Sequence, residues 1–338
     1  MTEETDQDHR TEDDIRHGLL YSRVLDGHGG AREVHWQEAC DWKPEKPGEV
    51  LWIHLDRSAE GIREWLMSQI GLPEATADLM VSHETHPRAF QEEGALIAVL
   101  RGINFNPGAK PEDMISMQLW ADEHRVITLR RRRLQSPRDV MKQLDAGNGP
   151  KTAGGLVTEI IEQLVARMNR AILDMNDKLD HLEQIDFTKE HETALDDIAV
   201  IRRNCLSLKR HMSPQHEALS AIGRDAPKWF SDMNRRDVRE VIARLHRYLG
   251  DLDVSKESAI LIQDDIDSRA ASQSNKTMYL LSIVAAIFLP MGFLTGLLGI
   301  NVGGMPGVDN ANAFMITVIA LVAIMLLQLW VFRKLKWL

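Results

Sequence analysis

Residues 278–300 read MYLLSIVAAIFLPMGFLTGLLGI, and from Thr277 to Val308 the chain holds no Asp, Glu, Lys, Arg or His. As a helix these 23 residues extend about 34 Å, enough for a hydrocarbon core of roughly 30 Å. Residues 313–332, AFMITVIALVAIMLLQLWVF, form a second uncharged stretch of about 30 Å. Two uncharged runs of this length predict a pair of membrane spans rather than a buried hairpin. The connection 301–312 carries one acid, Asp309, and no Lys or Arg. Arg269 and Lys276 precede the first span, and Arg333, Lys334 and Lys336 follow the second. That bias predicts both chain ends in the cytoplasm and the loop outside, with Trp330 and Trp337 at the cytoplasmic interface. One hairpin cannot enclose a pore, whereas several copies closing a ring can.

Away from the spans the 338-residue chain is polar. Its net charge is −10, which sets nucleic acid aside as a partner. Residues 1–16 hold no apolar run that a cleavable signal would need, and are expected to form an acidic, disordered leader. Cys40 and Cys205 lie far apart, form no CxxC and imply no disulfide framework.

Residues 17–150 are expected to fold as a cytoplasmic α/β domain, a mixed sheet with helices packed on it. Apolar or alternating runs occur in HGLLYSRVL (17–25), AREVHW (31–36), EVLWIHLD (49–56), ALIAVLRGI (95–103), MISMQLWA (114–121) and HRVITLR (124–130). Helices are expected near 59–70 and 74–83, and Pro107-Gly108 marks a turn between strands. After a Gly- and Pro-containing break at 145–155 the period changes. Val157, Ile161, Leu164, Met168, Ile172, Met175, Leu179 and Leu182 recur at three- and four-residue steps, the pattern of a long amphipathic helix. A second helix over 189–211 completes a bundle assigned to 151–233, with Ser213-Pro214 and Pro227 bracketing a loop or short helix. From residue 234 the chain has one glycine, Gly250, and no proline before Pro290. The expectation is one helix of about 100 Å, a stalk over 234–277 continuing into the first span, 278–300. Val238, Val241, Leu245, Leu249, Leu252, Ile260 and Ile262 supply its apolar positions, imperfectly spaced. The second span, 313–332, is followed by a basic tail, 333–338.

Helical steps back from the loop trace one face through Gly292, Leu289, Ala285, Leu281, Met278, Asn275, Ala271, Ser268 and Asp264. Around a symmetry axis, Asp264 and Asn275 become rings of carboxylates and amides that attract cations, and Met278 and Leu281 an apolar constriction. The alternatives are a solvated Asp264 beside Asp265 and Asp267, and an interhelical hydrogen bond for Asn275. Pro290 is a candidate kink in mid-span. The first span then ends in Gly296, Gly299, Ile300, Asn301, Val302, Gly303, Gly304, Met305, Pro306 and Gly307. An uncharged amide in a glycine-rich turn suits an ion that keeps much of its water, or is simply a tight turn.

Gly299-Ile300-Asn301 with the tail Val302-Gly303-Gly304-Met305-Pro306-Gly307 resembles the signature of the CorA superfamily of divalent-cation transporters. Most members read Gly-Met-Asn there; the Gly-Ile-Asn form is similar to the ZntB branch of zinc transport proteins. Residues 274–281 (SNKTMYLL), 288–290 (FLP), 100–108 (LRGINFNPG), 111–114 (PEDM) and 126–132 (VITLRRR) extend the resemblance over nearly the whole chain except the leader. The resemblance implies a funnel-shaped homopentamer in a bacterial inner membrane, with a cytoplasmic α/β domain, a stalk helix that lines the pore and an outer second span. It also assigns ion recognition at the pore mouth to Asn301 beside Gly299, a cytoplasmic-side amide to Asn275, and the narrowing to Met278 and Leu281. Gly292 stands where magnesium-transporting members have a threonine, which sets magnesium-type selectivity apart.

The resemblance implies Zn²⁺ as the transported ion, no resident cofactor, and coupling to the proton gradient. Zinc held directly requires Cys, His or carboxylate ligands, and residues 277–308 contain none, so a hydrated or partly hydrated ion at Asn301 is expected. No side chain in the span titrates near neutral pH, which leaves Asp264, Asp265 and His246 as the nearest candidates for any proton coupling. His83 and His86, three apart, share a face if helical and are a weaker zinc candidate, set against ordinary surface histidines. A magnesium, cobalt or nickel channel and a non-conducting membrane-anchored sensor or scaffold are the competing classes. An enzyme is not expected, as no P-loop, HExxH or GxSxG occurs.

Overall fold

A computed structural model describes residues 10–184, 191–300, 307 and 310–335. The chain divides into two compact units, Met1–Ile262 and Gln263–Leu338.

The first unit is built on a seven-stranded sheet of order β2-β1-β3-β7-β6-β5-β4. Its strands are β1 (Leu19–Leu25), β2 (Ala31–Glu33), β3 (Val50–Asp56), β4 (Arg88–Glu92), β5 (Ala95–Gly102), β6 (Ile115–Ala121) and β7 (Arg125–Arg130). Five neighbouring pairs are antiparallel, and β3 pairs with β7 in parallel, from Leu51↔Arg125 to Asp56↔Arg130. Alternation sends Leu51, Ile53, Leu55, Ile97, Trp120, Ile127 and Leu129 to one face. There they pack against α2 (Trp36–Asp41), α3 (Ile62–Trp65), the π turn Leu66–Ile70 that extends it, and α4 (Glu74–Val81). The long helices α6 (Ala153–Gln184) and α7 (His191–Asp225) contact the sheet as well. Gly102 permits the close approach of α6, because a Cβ there would stand 2.8 Å from Leu164 Cδ2 and 2.7 Å from Leu134 Cδ1.

The interior holds a fully joined polar group. Thr128 Oγ1 accepts from Trp52 Nε1 at 3.0 Å and from His54 Nδ1 at 2.7 Å, and donates to the Ile53 carbonyl at 3.3 Å. His54 Nε2 accepts from Arg130 Nε at 3.1 Å, so the ring is neutral. Burial, with the Arg130 guanidinium beside it, pushes the His54 pKa well below its ordinary value.

The expected α/β domain followed by a helical bundle is present, with differences that have physical causes. Residues 12–16, expected to be disordered, form the capped helix α1 (Glu12–Arg16). Thr11 and Asp14 bond reciprocally, and Asp14 also accepts from the Trp36 N–H at 2.7 Å and from His35 Nδ1 at 2.9 Å. Burial raises the Asp14 pKa, but these bonds outweigh it and hold the carboxyl below its ordinary value. Residues 1–9 of the leader lie outside the described residues. The run AREVHW yields only the short β2, because Trp36 opens α2 and turns into the core. The helix over 74–83 stops at Val81. Strand β4 and helix α5 (Ser136–Asp145) are additions.

The loop expected around Pro214 is instead helix: α7 continues through it to Asp225. A proline in a helix interior costs about 3 kcal/mol. Here Met212, Gln215, Leu219 and Ile222 are buried on both sides of it. Gln215 Oε1 also accepts from the Arg101 N–H at 2.6 Å, just past the last β4–β5 pair, Arg88↔Val99.

Helix α8 runs without interruption from Asp232 to Leu298, 67 residues or about 100 Å. Within the first unit its buried positions are Val238, Val241, Leu245, Leu252, Ser255, Ala259 and Ile262, which with the half-buried Tyr248 alternate in steps of three and four. This is a regular heptad stripe. Arg244 meets Glu162 of α6 at 3.2 Å, and Ser255 Oγ donates to Asn176 Oδ1 at 2.7 Å. In the second unit the end of α8 is followed by α9 (Ala313–Lys334).

Candidate functional site

The second unit contains the two helices long and apolar enough to cross a membrane, the end of α8 and α9. Their exposure is uneven. On α8, Ile283, Ala286, Ile287, Met291 and Leu294 are partly covered, while their neighbours are exposed. On α9, Ala313, Thr317, Leu321, Ile324, Gln328 and Val331 are partly covered at three- and four-residue steps. We read these stripes as the seam along which the two spans lie. Gln328 sits on it with its Oε1 buried and without a hydrogen-bond partner among the described residues.

Every residue of the face traced in the sequence is exposed: Asp264, Ser268, Ala271, Asn275, Met278, Leu281, Ala285, Leu289 and Gly292. At about 100° per residue, the part of this face within the span, 278–292, points roughly opposite the covered stripe of α8. Leu281 is 63% and Leu289 70% exposed within one chain. Asp265 is ion-paired with Arg269 at 2.7 Å. Pro290, the candidate kink, lies inside the helix, which continues past it.

The sequence reading overlooked hydroxyl groups bordering this face. Thr277, Ser282 and Thr295 each donate to the carbonyl four residues earlier, at 3.1, 2.8 and 3.0 Å. Their oxygens keep lone pairs for an ion or its water. The signal was present, since Thr295 is one turn before Gly299, but only Gly292 was weighed at that depth. Gly299 closes the helix with its N–H on the Gly296 carbonyl at 3.2 Å, and a Cβ there would meet the Thr295 oxygen at 3.1 Å. Ile300 is exposed. Asn301, with residues 302–306, lies outside the described residues.

The first unit does not make the histidine pair a cation site. His83 and His86 lie in the segment after α4, not on a helix, so they do not share a helical face. Arg131 Nη1 stands 3.4 Å from His83 Nδ1. His211 on α7 is pushed down to about 4 by burial first, and then by Arg101, Arg210 and His86, with Asp113 opposing. Positive charge of this density repels a divalent cation. Among the described residues no three His, Cys, Asp or Glu side chains are gathered to hold a metal.

A mixed-sheet domain, a helix of about 100 Å that becomes an apolar span, and a second apolar span after a stretch of glycine-rich sequence define a two-span ion transporter. Comparison with known proteins agrees. The profile of the family described as CorA-like Mg2+ transporter protein matches residues 47–334, and the chain belongs to that family. Divalent-cation transport is the activity of the family. The divalent cation transporter CmaX of Pseudomonas aeruginosa is 39% identical over 328 residues, covering 95% of this chain and 97% of that one. The zinc transport protein ZntB of Yersinia enterocolitica is 32% identical over 319 residues, 94% and 96% of the two chains. The solved structure of full-length CmaX superimposes with a TM-score of 0.82 at 36% identity, covering 95% of this chain and 99% of that one.

Proposed function

We propose that this chain forms a homopentameric pore that carries divalent cations, Zn²⁺ foremost, across the bacterial inner membrane. In this reading both termini are cytoplasmic, and α8 lines the axis with the face Asp264, Ser268, Asn275, Met278, Leu281, Ala285, Leu289 and Gly292. The observation that carries it is the bare face itself. It runs along the span, is exposed at every position, and lies roughly opposite the covered stripe of α8. An apolar and small-residue face of that kind is satisfied by four copies of itself around an axis.

The chemistry of the span sets the mode of passage. Between Thr277 and Ile300 there is no Cys, His, Asp or Glu to replace the water of a zinc ion. The ion therefore passes with water attached, met at the outer rim by Asn301 and the backbone near Gly299. Coupling to the proton gradient is part of the proposal and has no titratable group in the span to serve it, so it would act through Asp264, Asp265 or His246, or through water. The likeness to the ZntB proteins supports zinc. The greater likeness to CmaX and the family's description support a second reading, a channel for Mg²⁺, Co²⁺ or Ni²⁺.

Flux into liposomes separates these. Purified protein should admit Zn²⁺, with Mg²⁺ a weak competitor, and an inward pH gradient should accelerate uptake. Asn301→Ala should abolish flux with assembly intact. Dominant Mg²⁺ uptake would move the assignment to the second reading. Undiminished flux by Asn301→Ala removes the rim from the mechanism, and no flux of any divalent ion leaves an anchored scaffold.

A further inference from the structure

Within the first unit, α7 and α8 run antiparallel, and one ion pair fixes their register. Lys209 Nζ donates to both carboxylate oxygens of Asp253, at 2.6 and 2.7 Å. Seven residues on along α7 and seven back along α8, His216 and His246 face each other across the seam. Their ring centroids are 5.6 Å apart with an interplanar angle of 46°. His216 is half-buried and His246 exposed. Among the described residues neither ring has a hydrogen-bond or ion-pair partner, so their ring nitrogens are available.

That spacing has a chemical meaning. A zinc ion about 2.0–2.1 Å from an imidazole nitrogen lies roughly 3.1 Å from the ring centroid, so two rings on one tetrahedral ion sit about 5 Å apart. A slightly wider angle at the metal gives the observed separation. Ordinary core histidines bury a hydrogen-bonded nitrogen, as His54 does; this pair does not.

We propose that His216 and His246 form a two-imidazole site for a borderline-soft divalent ion, Zn²⁺ or Co²⁺, on the helix pair α7–α8. Two coordination positions are left to water on the exposed side of His246. Imidazole ligands select against Mg²⁺, which requires oxygen donors. The bound ion joins α7 to the helix that continues into the membrane. The site stands on these two side chains alone and does not rest on the transport reading.

Co²⁺ titration of the purified full-length protein, followed by its visible absorption, tests the proposal. Wild type should bind one equivalent per chain at this site, displaced by Zn²⁺ and not by a large excess of Mg²⁺. His216→Gln and His246→Gln should each weaken that equivalent at least about tenfold, and the double variant should be no worse than either single one. A wild-type experiment guards against misfolded variants. Zn²⁺ should protect His216 and His246 from diethyl pyrocarbonate, read by mass spectrometry, while exposed His124 stays reactive. An unchanged titration in either single variant, equal displacement by Mg²⁺, or no protection of the two histidines overturns the site.

Discussion

His211 shows how one residue's surroundings set a property of the whole first unit. Its imidazole is half-buried beside Arg101 and Arg210, and its folded pKa of about 4 lies below the 6.5 of a free histidine. Between those values the unfolded chain binds the proton and the folded one does not. Stability therefore rises with pH from 4 to 6.5 and is fully present above that. His54, buried and neutral, acts in the same direction. Replacing His211 by Gln should flatten the slope and remove about 1–2 kcal/mol of the change accumulated between pH 4 and 6.5, once screening of a partly exposed group is allowed for. Denaturant unfolding of wild type and variant at pH 4.5, 5.5 and 7 reads this, and parallel slopes would refute it. None of it was visible in the sequence, where His211 is one of thirteen scattered histidines. Its neighbours come from β5, from α7 and from the segment holding His86, which only folding brings together.

At the scale of elements, legibility followed size. On α6 every position the periodicity marks, from Val157 to Leu182, is a large apolar residue and is buried, while Leu156, Thr158, Ile160, Val165 and Ala171 beside them are buried too and widen the covered face beyond that stripe. The stripe of α8 was read imperfectly. Its buried members include the small Ser255 and Ala259, which an apolar pattern passes over, while Leu249 and Ile260, which that pattern marks, are only half-buried. Burial on α8 follows the heptad, and the small Ser255 stands where Asn176 of α6 comes close. Ala259 is fully buried, so Ala259→Phe should overpack that position and cost about 1–3 kcal/mol. A thermal melt of the purified protein measures it; an unshifted midpoint would mean that α8 is free to move away there. The same reasoning accounts for the additions to the sheet. Strand β4, reading Arg-Ala-Phe-Gln-Glu, lies at the edge of the sheet and is half exposed, so it lacks the apolar run that marked β3, β5 and β6.

On the scale of the whole molecule, the most legible feature was an absence. A stretch from 277 to 308 without a formal charge located the first span, its end and the candidate rim before any geometry was known. The seam with α9 was not legible, because both spans are apolar on every side and periodicity cannot mark a buried stripe. What the geometry adds is the bare face opposite that seam, on which the proposed pore depends. If Leu281 closes a ring there, its side chains form a gap that water leaves readily, and an ion must cross it with its shell. Leu281→Ser adds a hydroxyl and removes bulk at that ring, so it should wet the constriction. Divalent flux into liposomes should rise several-fold, with selectivity among Zn²⁺, Co²⁺ and Mg²⁺ falling toward parity. Val284→Ser is the control, since its direction on the helix lies well away from that face. Equal effects of the two substitutions would mean that the face does not line a pore. A several-fold rise confined to Leu281→Ser would place the hydrophobic gate on the cytoplasmic half of the span, where the chain turns apolar after Asn275.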